Sequence, residues 1–290
     1  MKTAHLDKIT RSFETQAPLY NSEKLHLSKQ EYLDLIVEKT APKSADAVLD
    51  VAAGTCVCGR GLAPLVSHVV CLDATLAMLE TGRKECERLG IHNMTFIKGY
   101  AEELPFLDHS FDIVISRLAF HHFIDVHAIF EEMVRVLKPG GKLVMVDMTM
   151  KDESLRDEAD RIERLRDDSH VRDLSLSEMR NLYAANRLSL QTQEQTDIPV
   201  CLDAWMELTR TPKENREEIR LLMKNDLDRK RATGFFPYLK DGSLYFDHIK
   251  EQSLIQKQPS KSEGCFCIYA RKAHNIRLSG LFLFSGDLVD

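Results

Sequence analysis

The sequence predicts an α/β fold: a Rossmann-like, doubly wound and mostly parallel sheet, with a helical cover before it and a helical cap after the fifth strand. Three observations carry that prediction. Short apolar runs recur between Ala47 and Met148, most of them separated by a stretch of helical periodicity, the alternation expected of a parallel sheet with right-handed crossovers. Two of the runs close on an acid, Asp50 and Asp73. The first is followed by a small-residue loop, Ala52 to Gly61, where a ligand can approach the backbone at the carboxyl edge of an open sheet.

Residues 1–40 read as a helical cover, with Tyr32, Leu35 and Ile36 on one face of the segment from Ser28 to Lys39. Residues 41–150 form the binding core. Its expected strands are Ala47–Val51, Val69–Asp73, Met94–Ile97, Phe111–Ser116 and Gly141–Met148, and its helices run from near Gly59, over Leu76–Leu89 as far as the Gly90 stop, and over Val126–Leu137. Residues 151–240 read as a helical cap or substrate region. Its first part, Lys151 to Asn186, is so rich in Arg, Asp and Glu that a solvated surface is expected. A strand is expected over Leu188–Thr196 and helices over Leu202–Arg231. In 241–290 a strand follows the Asp241-Gly242 turn at Leu244–Phe246, Gln252–Glu263 reads as a polar loop, and Cys265–Ala270 reads as the last strand. The apolar tail Leu281-Phe282-Leu283-Phe284 has no place in this pattern.

Composition narrows the functions. The 290 residues are 43% hydrophobic, enough for a sizeable core, and the formal net charge of −6 opposes attraction to nucleic acid or anionic lipid. The opening residues Met1 to Leu6 carry no signal-like apolar stretch, and no run approaches the roughly 18 apolar residues of a membrane span. Seven cysteines, an odd number without a regular framework, predict reduced thiols and cytoplasmic residence. The pairs Cys56/Cys58 and Cys265/Cys267 lack the two-residue gap of a zinc knuckle, so no metal site is expected. The residues carry no signal of oligomeric state.

The chemistry concentrates at the ends of the first two strands. The Asp50 carboxylate can accept from a cationic amine or hold the loop through backbone amides. Gly54, at the centre of the turn, permits positive φ and close backbone approach. Asp73 follows Asp50 at close to the roughly 20-residue offset of a ribose-binding acid, and its two oxygens match vicinal hydroxyl donors.

These residues, with the motifs around them, resemble a known family. Val48-Leu49-Asp50-Val51-Ala52-Ala53-Gly54-Thr55, Cys71-Leu72-Asp73-Ala74-Thr75-Leu76-Ala77-Met78-Leu79, Gly99-Tyr100-Ala101-Glu102-Glu103-Leu104-Pro105-Phe106, Ser110-Phe111-Asp112 and Arg135-Val136-Leu137-Lys138-Pro139-Gly140-Gly141 look like class I S-adenosylmethionine-dependent methyltransferases. The likeness is strongest to the small-molecule branch that includes the ubiquinone and menaquinone biosynthesis enzymes, and it spans roughly residues 45 to 148. It implies that Asp50 and the backbone near Ala52 and Gly54 hold the methionine end of S-adenosyl-L-methionine and that Asp73 takes the ribose hydroxyls. Ala74 and Met78 would flank the adenine, with Tyr100, Ala101 and Glu102 at its edge, and Ser116 and Arg117 would lie near the transferable methyl. Two positions depart from the family pattern. Its loop usually carries glycine where Ala52 and Cys56 stand, so that Cys56 adds bulk near the ligand, and it often has an acid where Tyr100 stands, leaving ring stacking as the substitute contact.

Methyl transfer from a sulfonium is an in-line displacement that depends chiefly on alignment. If the nucleophile arrives protonated a base is needed, and His121 and His122 are the candidates, the other reading being a loop cap or a pairing with Asp125. Phe13, Tyr20, Trp205, Phe235, Phe236 and Tyr238 are candidate walls for a small-molecule acceptor. The alternatives are a non-catalytic cofactor-binding or regulatory protein on the same fold, and an NAD-dependent oxidoreductase, against which the missing G-x-G-x-x-G speaks.

Overall fold

A computed structural model describes residues 2–20, 30–227, 232–259 and 283–284 of the chain. Five strands, β1 (Ala47–Val51), β2 (His68–Asp73), β3 (Met94–Lys98), β4 (Phe111–Arg117) and β5 (Leu137–Thr149), run parallel in the order β3-β2-β1-β4-β5. Beyond β5 the sheet continues through two long antiparallel strands, β8 (Ser243–Lys257) and then β6 (Leu188–Cys201), with the short β7 (Tyr238–Lys240) beside β8. At the other edge Leu283–Phe284, β9, pairs with β3. The order reverses at β1, whose neighbours are β2 and β4, and such a switch point opens a crevice at the carboxyl edge.

Strand alternation fills both faces. Leu49, Val51, Leu72, Val114 and Met145 point into one core with α5 (Val126–Val136) and α7 (Leu176–Ala185). Val48, Val69, Cys71, Ile113 and Val146 point into the other with α2 (Gln30–Thr40), α3 (Val57–Leu62) and α4 (Leu76–Leu89). Neighbouring residues of β1 thus enter opposite cores, as the two-residue period requires. The helix α4 ends on Gly90 at φ 67, the left-handed stop expected from its sequence. On α2, Leu33 and Ile36 are buried and Leu35 is only partly so.

The family motifs that do not face the cleft are clamps. Asp112 accepts from the backbone N–H of Ala47 (3.0 Å) and from Lys138 Nζ (2.7 Å), tying the starts of β1, β4 and β5 together. Arg135 donates to the carbonyls of Leu104 (3.0 Å) and Phe106 (2.7 Å), while Glu132 accepts from Leu104 N–H (2.9 Å). Helix α5 therefore fixes the Leu104-Pro105-Phe106 turn that follows the binding loop after β3.

Two expectations need correction. Gln252–Lys257, read as polar loop, is the end of β8, paired on one side with β5 and on the other with β6; Gln252 and Ser253 are buried, with Ser253 Oγ bonded to Glu251, while Gln256 and Lys257 are half-buried. The charged segment after Lys151 is not simply a solvated face either. Its helix α6 (Arg156–Arg166) and the loop beyond it bury Asp160, Glu163, Asp167 and His170. Paired with one another and with neighbouring cations, these charges avoid the cost of lone burial. The strand expected at Cys265–Ala270 and the pair Cys265/Cys267 lie outside the described residues.

The first half of β8 continues past Thr149, where β5 stops, and remains paired with β6 as far as Tyr245 and Cys201. This ribbon overhangs the carboxyl edge of the sheet. On it sits a third core, Ile162 of α6 with Trp205 and Met206 of α8 (Leu202–Leu208), Ile219 and Met223 of α9 (Lys213–Asp226), Phe235 and Phe246. Across the mouth of the sheet lies the amino-terminal helix α1 (Lys2–Gln16).

Candidate active site

At the carboxyl edge of β1, β2 and β4 a cleft of about 840 Å³ opens. Asp50, Ala52, Gly54, Asp73, Ala74, Tyr100, Ala101, Glu102 and Arg117 line it, and Leu6, Ile9, Phe13 and Tyr20 of the amino-terminal segment close it. Asp50 is buried and its Oδ2 accepts from Gly59 N–H at 2.9 Å, so it anchors the first turn of α3. Burial pushes its carboxyl up to about 7, against the opposing pull of that N–H and of Arg117. Asp73 accepts from Gly54 N–H (2.8 Å) and Thr75 N–H (2.8 Å), binding the loop after β1 to the turn after β2. Burial raises its carboxyl as well, against those same donors. Each carboxylate oxygen has a second lone-pair site, so both acids can still accept from a ligand.

The loop between them has an unusual backbone. Ala52, Gly54 and Cys56 all take positive φ, at 53°, 55° and 58°. The two non-glycine residues occupy a region that costs an L-residue roughly 1–2 kcal/mol, which explains why glycine is the usual choice in the family loop. Cys56 does not add its bulk to the cleft. It is fully buried and absent from the lining, and a Cβ built on Gly82 would meet its sulfur at 2.9 Å and the Thr55 carbonyl at 2.8 Å. The missing side chain at Gly82 is what lets the loop settle on α4.

Beside the cleft lies a second lobe of about 560 Å³, lined by Phe13, Gln16, Tyr20, Leu118, His121, His122, Met148, Arg166, Asp167, Val200, Trp205, Leu208 and His248. Phe13, Tyr20, Leu118 and His122 line both lobes. Buried charge here is balanced inside the protein. His121 Nδ1 faces Asp147 Oδ1 at 2.5 Å; burial favours its neutral form, but the carboxylate prevails and lifts the imidazole to about 9. Glu163 pairs with Arg166 (3.0 Å) and His248 (3.4 Å), and these partners overcome burial and hold its carboxyl far below the usual range. His170 meets Asp160 at 2.9 Å, and Arg166 lies over the Trp205 ring at 4.7 Å. His122 is held down to about 3, first by burial and then by the charge of His121, so it is neutral around pH 7.

Of the residues singled out in the sequence, most meet in these lobes. Met78 and Ser116 do not line the cleft; both are buried, Met78 in the first turn of α4 and Ser116 on β4. His121 lines the second lobe only. Its partner is Asp147, while Asp125 caps α5 by accepting from Ala128 N–H at 3.1 Å. Phe13, Tyr20 and Trp205 are walls, whereas Phe235 packs in the third core and Tyr238 donates to Asp247 at 2.8 Å. Sequence reasoning missed Asp147, Glu163, Arg166, Asp167 and Ser169. One signal was present: Asp160, Glu163 and Asp167 recur at three- and four-residue steps, an acidic stripe on one helix face.

Residues 49–145 match the family model described as a methyltransferase domain. The uncharacterized methyltransferase YcgJ of Bacillus subtilis is 34% identical over 222 residues, covering 76% of this chain and 87% of that one. Its crystal structure superposes with a TM-score of 0.73 at 32% identity, over 79% of this chain and 99% of YcgJ. A demethylmenaquinone methyltransferase of Listeria welshimeri is 36% identical over 152 residues, 49% of this chain and 62% of that protein.

Proposed function

We propose that this chain, which belongs to the S-adenosylmethionine-dependent methyltransferases, seats its cofactor in the first lobe and a small-molecule acceptor in the second, with His122 between them as the base. S-adenosylmethionine is the cofactor, and when bound it supplies an electrophilic methyl group on a sulfonium. The observation that carries the reading is that the two lobes are adjacent and share Phe13, Tyr20, Leu118 and His122 as a common wall. A methyl donor on one side and an acceptor on the other then meet at that wall, and alignment supplies much of the rate.

The first lobe suits the cofactor by charge. Asp50 and Asp73 are buried acids held chiefly by backbone N–H groups, and burial has raised both; a cationic amine and a pair of hydroxyl donors relieve that. In this assignment Asp50 with the backbone of Ala52 and Gly54 takes the methionine end and Asp73 the ribose. Ala74, Tyr100, Ala101 and Glu102 surround the base, and Arg117 lies toward the methyl. The second lobe, with its acids already paired, suits an uncharged acceptor with an apolar flank against Phe13, Tyr20 and Trp205. His122, neutral near pH 7 and a weak base at about 3, can receive the proton of an O–H, N–H or S–H nucleophile once that proton turns acidic as the methyl group bonds. The cytoplasm as the compartment is supported by five thiols without disulfides among the described residues, Cys56, Cys58, Cys71, Cys86 and Cys201, four of them buried.

Two measurements test the proposal together. Calorimetric titration should show S-adenosylmethionine binding and no NAD binding, and labelled methyl should appear in a member of a panel of phenols, quinols, amines and thiols. Cofactor binding with no transfer to any acceptor would leave a binding protein in place of an enzyme.

A further inference from the structure

We propose that Asp167 is a positioning residue for His122: through Ser169 it keeps the imidazole proton on Nδ1, so that Nε2 faces the cleft as a bare lone pair. The inference rests on the assignment of His122 as base. Its geometry is a chain of buried hydrogen bonds. His122 Nδ1 lies 3.1 Å from both the carbonyl oxygen and the Oγ of Ser169. Ser169 Oγ donates to Asp167 Oδ1 at 2.6 Å, and Ser169 N–H donates to the same oxygen at 3.0 Å.

The direction of the proton follows from the donor inventory. The Ser169 hydroxyl proton is committed to Asp167, and a carbonyl oxygen can only accept. Both Ser169 atoms therefore present lone pairs to His122, and Nδ1 must carry the hydrogen. A neutral imidazole has one ring proton, so Nε2 has none. That nitrogen is on the far side of the ring from Ser169, and His122 lines both lobes of the cleft. A third group that orients the base is the general logic of an acid-held histidine. Here the acid acts at one remove, through a serine.

Asp167 has a second task, and the test must separate the two. Its carboxylate also accepts from Ser12 Oγ (2.9 Å) and Gln16 Nε2 (3.0 Å), which latch α1 over the cleft. With four neutral donors on it, the carboxylate stays ionised while buried. Its negative charge lies within reach of the imidazolium that forms when His122 takes a proton.

The experiment is nitrogen-15 NMR of the imidazole of His122, in the full chain near pH 7.5 without cofactor or acceptor. In the parent protein the Nδ1–H form is expected to dominate. Asp167→Ala should shift the ratio of Nδ1–H to Nε2–H forms by about five-fold or more, the equivalent of one ordinary hydrogen bond. Ser169→Ala, which leaves Asp167 bonded to α1, should shift it in the same direction and serves if the first variant does not fold. The double variant Ser12→Ala with Gln16→Ala, which unlatches α1 but spares the relay, should leave the ratio unchanged. An Nε2–H form in the parent would overturn the proposal, as would an unmoved ratio in Ser169→Ala or an equal shift in the α1 variant. Because no cofactor or acceptor is added, failure here is distinct from failure to bind S-adenosylmethionine or transfer its methyl group.

Discussion

The first lobe buries acids that the protein leaves short of compensation, and the second buries acids that the protein has already neutralised. Asp50 stands near 7 and Asp73 is raised, each with backbone N–H groups as its main support. Across the shared wall, Asp147 is held below its usual range despite burial by His121, Glu163 by Arg166 and His248, and Asp167 is brought to about 2 despite burial with help from Arg166 and the Ser169 donors. A buried charge without a full complement of partners stores free energy that a complementary ligand can release, whereas a paired one contributes shape and position. On the proposed reading, the first lobe binds its ligand by charge and the second orients a neutral acceptor.

The sharpest way to break this contrast is through His122. His122→Ala should slow methyl transfer by roughly 10²- to 10⁴-fold while leaving cofactor affinity unchanged by calorimetry. Loss of cofactor binding in that variant would erase the division between lobes. Next in size is Glu163→Gln, which strands Arg166 and His248 and should cost about 3–5 kcal/mol in denaturant unfolding, as for other broken buried pairs. A loss below 1 kcal/mol would show that the second lobe is not internally balanced.

Asp73→Ala should weaken S-adenosylmethionine binding by about 1.5–3 kcal/mol, and undiminished affinity would remove that acid from the site. Asp50→Asn should do the reverse to the free protein, stabilising it on the order of 1–3 kcal/mol at pH 8 by deleting an undercompensated charge while weakening cofactor binding. The pH dependence follows from the same group. Its folded value near 7 exceeds the ordinary 3.8, so the folded chain holds the extra proton between those values and this contribution to stability falls as pH rises through that window. Cofactor binding needs the ionised form. Affinity measured from pH 8 down to 5 should therefore drop by about ten-fold per unit below 7, and a flat profile would mean that Asp50 meets no cation. The smallest expected effect is Ala52→Gly, which relieves a positive φ and should stabilise the chain by about 1 kcal/mol in thermal unfolding.

How much could be read beforehand follows the same division. The strands from Ala47 to Met148, the acids at their tips and the Gly90 stop were readable because each is local: a two-residue period, a strand end or a left-handed turn leaves its mark within a few residues. The motif residues Asp112, Lys138 and Arg135 were recognisable too, though not as the clamps they form. The aromatic and histidine walls of the second lobe were named, but its charged part was misread. The charged run after Lys151 looks the same whether it faces water or a buried partner, because the deciding partners, His121, Trp205 and His248, are far away in the chain. Polar Gln252 to Lys257 likewise reads as loop until β5 and β6 flank it.

By itself, then, the sequence determined the doubly wound core and the two acids at its strand tips, since hydrophobic period and turn chemistry act at short range. Only the tertiary structure decided which charges are buried in pairs, that Cys56 turns from the cleft because Gly82 makes room, and that Asp167, in the loop beyond α6, stands behind His122. Those outcomes depend on which distant surfaces meet, and the cost or gain of burying a charge is set at that meeting.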